Sequence, residues 1–170
     1  MQALIQFFFE LCLLRKAPQD LTASSALLGL TFAADLLMGM VLAATVGLSP
    51  GLGLLQSLVD VALMLSLLYG ALSLLDRLPR FQQTATALLG SGALLGFIAV
   101  VPLSMLPQGS EEQASGEAVL LFLALIVWGI VVAGHILRHT FGLRLGQGVA
   151  IAVVYNFFAY SLVSSLFSGT

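Results

Sequence analysis

Two acids stand alone in apolar surroundings. Asp35 interrupts the stretch TFAADLLMGMV (31–41), and Asp60 lies in LVDVAL (58–63). In hydrocarbon an acid costs about 2.5–3.5 kcal/mol on the insertion scale, so keeping one there asks for a reason. Two kinds of chemistry supply one. A pair of carboxyls can pass protons or hold a cation along a path through a helix bundle, or a protonated carboxyl can act as a neutral hydrogen-bonded clamp between helices. Near the other end of the chain, YNFFAY (155–160) adds polar groups, and Ala152, Asn156, Tyr160 and Ser164 recur every four residues, as one helix face would require. Gln56, Ser57 and Asp60 share a face in the same way. The expected polar cluster is therefore Asp35, Asp60, Asn156 and Tyr160, with Asp35 protonated and donating to a neighbour such as Asn156.

Other reactive patterns are thin. His135 and His139 in HILRH have the i, i+4 spacing that can hold a metal from one helix face, but no Cys, Asp or Glu in the adjacent loop completes a ligand set. Titrating histidines near a membrane surface, beside Arg138, are the plainer reading, and no metal or cofactor is expected. HExxH and Walker patterns are missing, and Ser91 in LGSGAL has no base at matched depth. An enzyme is not expected. The net charge of -2 and the lack of a basic patch give no sign of a nucleic-acid partner. Cys12, being the only cysteine, cannot close a disulfide within the chain.

The elements that must carry these residues follow from composition. Of 170 residues, 59% are hydrophobic and 8% charged, and the mean hydropathy is +1.08. A soluble domain carries about 25% charged residues. This chain could not cover a core with polar surface, whereas a lipid-embedded protein has no need to. Crossing ~30 Å of hydrocarbon takes roughly 20 apolar residues of helix. Five segments qualify, at about 22–48, 52–75, 84–106, 118–137 and 148–167, and the intervening stretches are LSPGLG, DRLPRFQQ, PQGSEEQASGE and RHTFGLRLGQG. By helix rise, Asp35 lies mid-span and Asp60 within ~5 Å of that depth. The fold class is all-α: a single transmembrane domain of five helices, 1–170.

The six cations fall as Arg15 and Lys16, Arg77 and Arg80, Arg138 and Arg144, all on one side of these spans. The opposite side carries Glu111, Glu112 and Glu117. The positive-inside rule then puts the N-terminus in the cytoplasm and the C-terminus outside, as an odd number of spans requires. Residues 1–17 are too short to span and read poorly as a signal peptide. Gln2, Gln6 and Glu10 form a polar stripe on an otherwise apolar segment. That suits a short amphipathic helix at the cytoplasmic interface, or one packed on the bundle. Gly92-x-x-x-Gly96 and Gly129-x-x-x-Ala133 mark close helix packing.

The closing stretch AGHILRHTFGLRLGQGVAIAVVYNFFAYSLVSSLF resembles the last two spans of bacterial Yip1-like membrane proteins. LCLLRKAPQDLTASSALLGL is similar to their lead-in, and Asp20-Leu21 echoes the acidic-aromatic motif before span one of eukaryotic members. The resemblance implies a non-enzymatic membrane protein acting through partners or on the bilayer; the short loops and the lack of a signal peptide suit a bacterial inner membrane, and the expected partners are the lipid bilayer and other membrane proteins or a homo-oligomer. The leading expectation is a scaffold or partner subunit of a membrane assembly. The alternative is a small proton- or cation-coupled transporter or channel using Asp35 and Asp60.

The charge pattern makes a direct prediction. A cysteine placed at Ser110 should react with an impermeant reagent from outside the cell, and one at Gln82 should not. Labelling of Gln82→Cys from outside would reverse the assigned orientation.

Overall fold

The helix ends are written in local chemistry. The computed structural model describes residues 2–106 and 116–167. Within them lie α1 (Gln2–Cys12), α2 (Ser25–Thr45), α3 (Pro50–Leu74), α4 (Phe81–Ser104), α5 (Gly116–Phe141) and α6 (Leu145–Phe167). Helices α2 to α6 are each long and apolar enough to cross a membrane, which makes the chain a multi-pass membrane protein. Glu111 and Glu112 lie outside the described residues.

Ser24 and Ser49 cap α2 and α3 by accepting hydrogen bonds from Leu27 N and Leu52 N. Pro50 occupies the first turn of α3, where a missing N–H costs nothing, so this helix starts two residues before the span expected at 52. The Ser-Pro pair that reads as a loop is a helix start. At the other end of the chain, α5 continues four residues past the expected 137 and stops where Gly142 takes φ +68°. That turn lets Leu143 N reach Arg138 O at 2.9 Å, the six-to-one bond of a Schellman cap.

Helix α4 is the hub of the bundle. It packs against α2, α5, α1 and α3, while α6 pairs with α5 and closes back on α3. The five long helices therefore form a ring in the order α2, α4, α5, α6, α3. Small residues permit the tightest crossings. A Cβ on Gly53 would collide with Ala43, and one on Gly148 with the Gly134 carbonyl. Gly92 and Gly96 face Asp35 and Met38 of α2, so this small-residue motif serves packing inside the chain.

The end bearing the six cations is tied by hydrogen bonds. The last carbonyls of α5 have no partner in their own helix. Arg80 Nη1 donates to His139 O at 3.2 Å and to Thr140 O at 3.0 Å, and Arg77 Nη1 reaches Thr140 O at 3.3 Å. Gln19 also donates to His139 O (2.8 Å), and Gln83 donates to Leu21 O (2.7 Å). Below them the Thr84 and Thr140 hydroxyls meet at 3.0 Å in full burial.

Helix α1 is docked on the bundle rather than resting on it. Phe8, Leu11 and Cys12 are buried with Ala87 of α4 and Val132 and Ile136 of α5, and the Phe8 ring occupies the space above Gly90. Trp128 Nε1 donates to Cys12 O at 2.8 Å. Burial pushes the Cys12 thiol up to about 11, which leaves it inert as a nucleophile. The polar stripe survives as a Gln6–Glu10 hydrogen bond of 3.2 Å, and Ile5, Phe9 and Leu13 form an exposed apolar strip beside it.

The two kinds of glycine should respond oppositely to alanine. Gly148→Ala pushes a methyl into backbone of α5 and should lower stability by about 1–3 kcal/mol. Gly29→Ala meets nothing within 4 Å and should be neutral or stabilising. Unfolding of the purified protein in a denaturing detergent series distinguishes them, and an equal response would contradict the close α5–α6 crossing.

Candidate functional site

Counting along each helix from the basic end, Asp35, Asp60, Gly92 and Tyr155 fall at roughly 15–21 Å by a rise of 1.5 Å per residue. They sit at one level, near the middle of the bundle, on four different helices.

Asp60 is held by Tyr155. The Tyr155 hydroxyl donates to Asp60 Oδ1 at 2.8 Å and lies 3.2 Å from Asp60 O, which ties α6 to α3. Asp35 has a different setting. Its Oδ1 lies 2.9 Å from where a Cβ on Gly92 would stand, so the carboxyl sits in space that the glycine leaves on α4. Asp35 has no hydrogen-bond partner among the described residues, yet it interacts electrostatically with Asp60. No Lys or Arg offsets the pair at this depth, since all six cations lie at the basic end.

The expected partners are distributed unevenly. Asn156 does not take a bond from Asp35; its Nδ2 donates to Ala152 O of its own helix at 2.8 Å. Tyr160 is 75% exposed and makes no bond to either acid, although it lines a groove with Asp60 and Asn156. Sequence reasoning missed Tyr155. A spacing of four overshoots the helical repeat by about 40° per step, so the row from Ala152 drifts off the packed face before it reaches Tyr160. Ala152 and Ala159, both buried, bracket Tyr155 at i−3 and i+4. That pair of small residues was the available signal for the face that meets α3.

Two voids border the polar groups. One, of about 700 Å³, lies inside the ring and is walled mainly by aliphatic side chains. Its polar edge is Ser91, Tyr155 and Asn156, and Gly92 belongs to the same wall. It extends from Ala71 and Phe141 near the basic end to Phe122 on the far side of the Asp60 level. The second void, about 290 Å³, is a groove between α3 and α6 that contains Asp60, Gln56, Ser57, Asn156, Tyr160 and Val163. Asn156 borders both. The Asp60–Tyr155 bond thus stands between an apolar cavity and a polar groove leading toward the end opposite the cations.

The histidines are placed elsewhere. His135 is buried, its Nε2 is 2.9 Å from Lys16 O, and its ring lies 4.7 Å from that of His139. It fastens the segment after α1 to α5. Among the described residues no three His, Cys, Asp or Glu side chains group closely enough to hold a metal.

No family model, curated protein or solved structure matches this chain.

Removing the clamp tests its structural share. Tyr155→Phe should cost about 0.6 kcal/mol and no more than ~1.7 kcal/mol, the range measured for hydrogen bonds between membrane helices. Tyr160→Phe should cost nothing measurable. Equal losses in unfolding titrations of the two variants would show that Tyr155 does not hold Asp60.

Proposed function

We propose that this chain is a small proton- or cation-coupled transporter or channel whose titrating site is Asp35 and Asp60, with Tyr155 and Asn156 as neutral partners. The observation that supports it is that two voids meet the polar layer, an apolar cavity at Tyr155 and a polar groove at Asp60, with Asn156 shared between them. A clamp that only joined helices would be enclosed by side chains. Here Asp60 opens on a groove, its partner Tyr155 opens on the cavity, and Asn156 belongs to both. The cavity and groove between them reach from Phe141, at one end of α5, to Gln56 and Val163 near the other ends of α3 and α6. Only the polar layer at mid-depth interrupts them.

The scaffold reading draws less support. Of the small-residue faces that could have met a partner, Gly92 and Gly96 are covered by α2 of the same chain. We further propose that the basic end faces the cytoplasm of a bacterial inner membrane, consistent with the resemblance to Yip1-like proteins. The groove would then open to the outside, and a proton or cation entering it would meet Asp60 first and Asp35 next. Tyr155 is the one other titratable group in this layer, because α4 and α5 present Ser91, Gly92 and aliphatic side chains.

Purified protein in liposomes carrying an internal pH dye tests the proposal. Asp60→Asn and Asp35→Asn keep the shape of a protonated acid but cannot titrate. Each should reduce flux at least tenfold while changing stability by less than about 1 kcal/mol, the scale of one hydrogen bond between membrane helices. Wild-type liposomes no leakier than empty ones, or variants as active as wild type, would overturn it.

A further inference from the structure

The cavity has a shape and polarity that a bare proton does not require. A path for protons needs a line of polar groups or water, yet this void of about 700 Å³ is apolar except along one edge. Its volume is that of a site for a drug-sized molecule, a class that spans about 300–1,000 Å³ and is typically apolar with a few placed polar groups. The polar edge is Ser91, Tyr155 and Asn156. Behind that edge stand two carboxyls: Asp60, which Tyr155 contacts at 2.8 Å, and Asp35, whose Oδ1 lies against the same Gly92 that forms part of the wall.

Charge is the decisive feature. No basic side chain lines the void, and its wall residues Tyr155 and Gly92 each back onto a carboxyl, Asp60 and Asp35. An anion brought there would face both carboxyls in a medium of low dielectric, where like charges repel strongly. A cation would be attracted by the same groups, and the aromatic Tyr155 belongs to the wall as well. An inorganic cation would leave most of the cavity empty and its aliphatic walls uncontacted. A cation with a large apolar body satisfies both parts of the site.

We propose that the cavity binds a lipophilic organic cation, its apolar body among the aliphatic side chains of α3, α4 and α5 and its charge at the Asp35–Asp60–Tyr155 layer. This rests on the transport reading of the same acids and names the class of molecule carried. Binding is a competition at the carboxyls. When the cation arrives, a proton held there leaves to solvent through the groove, so charge in the layer is conserved.

Tetraphenylphosphonium and tetraphenylborate provide the test, because they share shape and apolar surface and differ in the sign of their charge. Equilibrium dialysis against the purified full chain in lipid nanodiscs should give saturable binding of tetraphenylphosphonium near one per chain, and tetraphenylborate should bind at least tenfold more weakly. Asp60→Asn should weaken the cation at least tenfold. Gly129→Leu should abolish its binding by filling the void, at a position where the nearest atom to an added Cβ is 3.7 Å away. A second filler, Ala133→Leu, covers the case in which Gly129→Leu fails to fold. Equal binding of the two ions, binding indifferent to both fillers, or no saturable binding would overturn the proposal. Proton flux measured in parallel separates the two failures. Flux that depends on Asp35 without cation binding leaves the transport reading standing and removes only the organic substrate, whereas loss of both removes the transport reading too.

Discussion

The last turn of α5 ends in carbonyls that neither its own helix nor lipid can satisfy, and two arginines from the α3–α4 connection supply the donors. A helix C-terminus also carries partial negative charge, so guanidinium groups there gain both hydrogen bonds and a favourable dipole interaction. Arg77 and Arg80 thereby join the turn between α3 and α4 to the turn between α5 and α6. Gln19 and Gln83 extend the same set of bonds to the segment preceding α2. The register of the whole basic end follows. With α5 held there, Gly134 meets Gly148, His135 meets Lys16 O, and α1 finds its seat. The cations that mark orientation in such a chain are here also structural fasteners.

Beyond this knot the bundle depends on where side chains are small. Gly90 accepts the Phe8 ring, Gly92 accepts the Asp35 carboxyl, and Gly96 accepts Met38 and Leu42. These contacts bring α1 and α2 onto α4, which helps one helix serve as the hub. The same economy of side chains leaves space. Gly129 and Ala133 on α5 line the cavity together with Ser91, Gly92 and Ala99 on α4. Protein interiors otherwise pack to the density of organic crystals, so a void bounded by so many small residues points to an occupant.

The two acids show how one layer can hold unlike environments. Asp60 is fixed by a tyrosine from a facing helix and opens on a polar groove. Asp35 has no such donor and rests against bare backbone. One is tethered by a donor from a facing helix, while the other has none among the described residues. A proton or cation moving between them would exchange a polar vestibule for a largely aliphatic chamber, with Tyr155 at the crossing.

Several features were set by the chain alone, because hydrocarbon thickness and hydropathy act on any segment independently of its neighbours. The five membrane-crossing helices, the lone acids at matched depth and the one-sided cations needed no tertiary information. Helix ends were less legible where a cap was mistaken for a loop, as at Ser49-Pro50, or where distant donors prolonged a helix, as Arg80 does for α5. The ring order, the docking of α1 and the choice of Tyr155 over Tyr160 belong to the tertiary structure. A helix turns about 100° per residue, so a row spaced by four drifts around it, and only the position of α3 determines which tyrosine meets Asp60. The cavity is likewise a property of the assembled ring: a glycine in sequence marks either close contact or empty space, and only the neighbouring helix decides which.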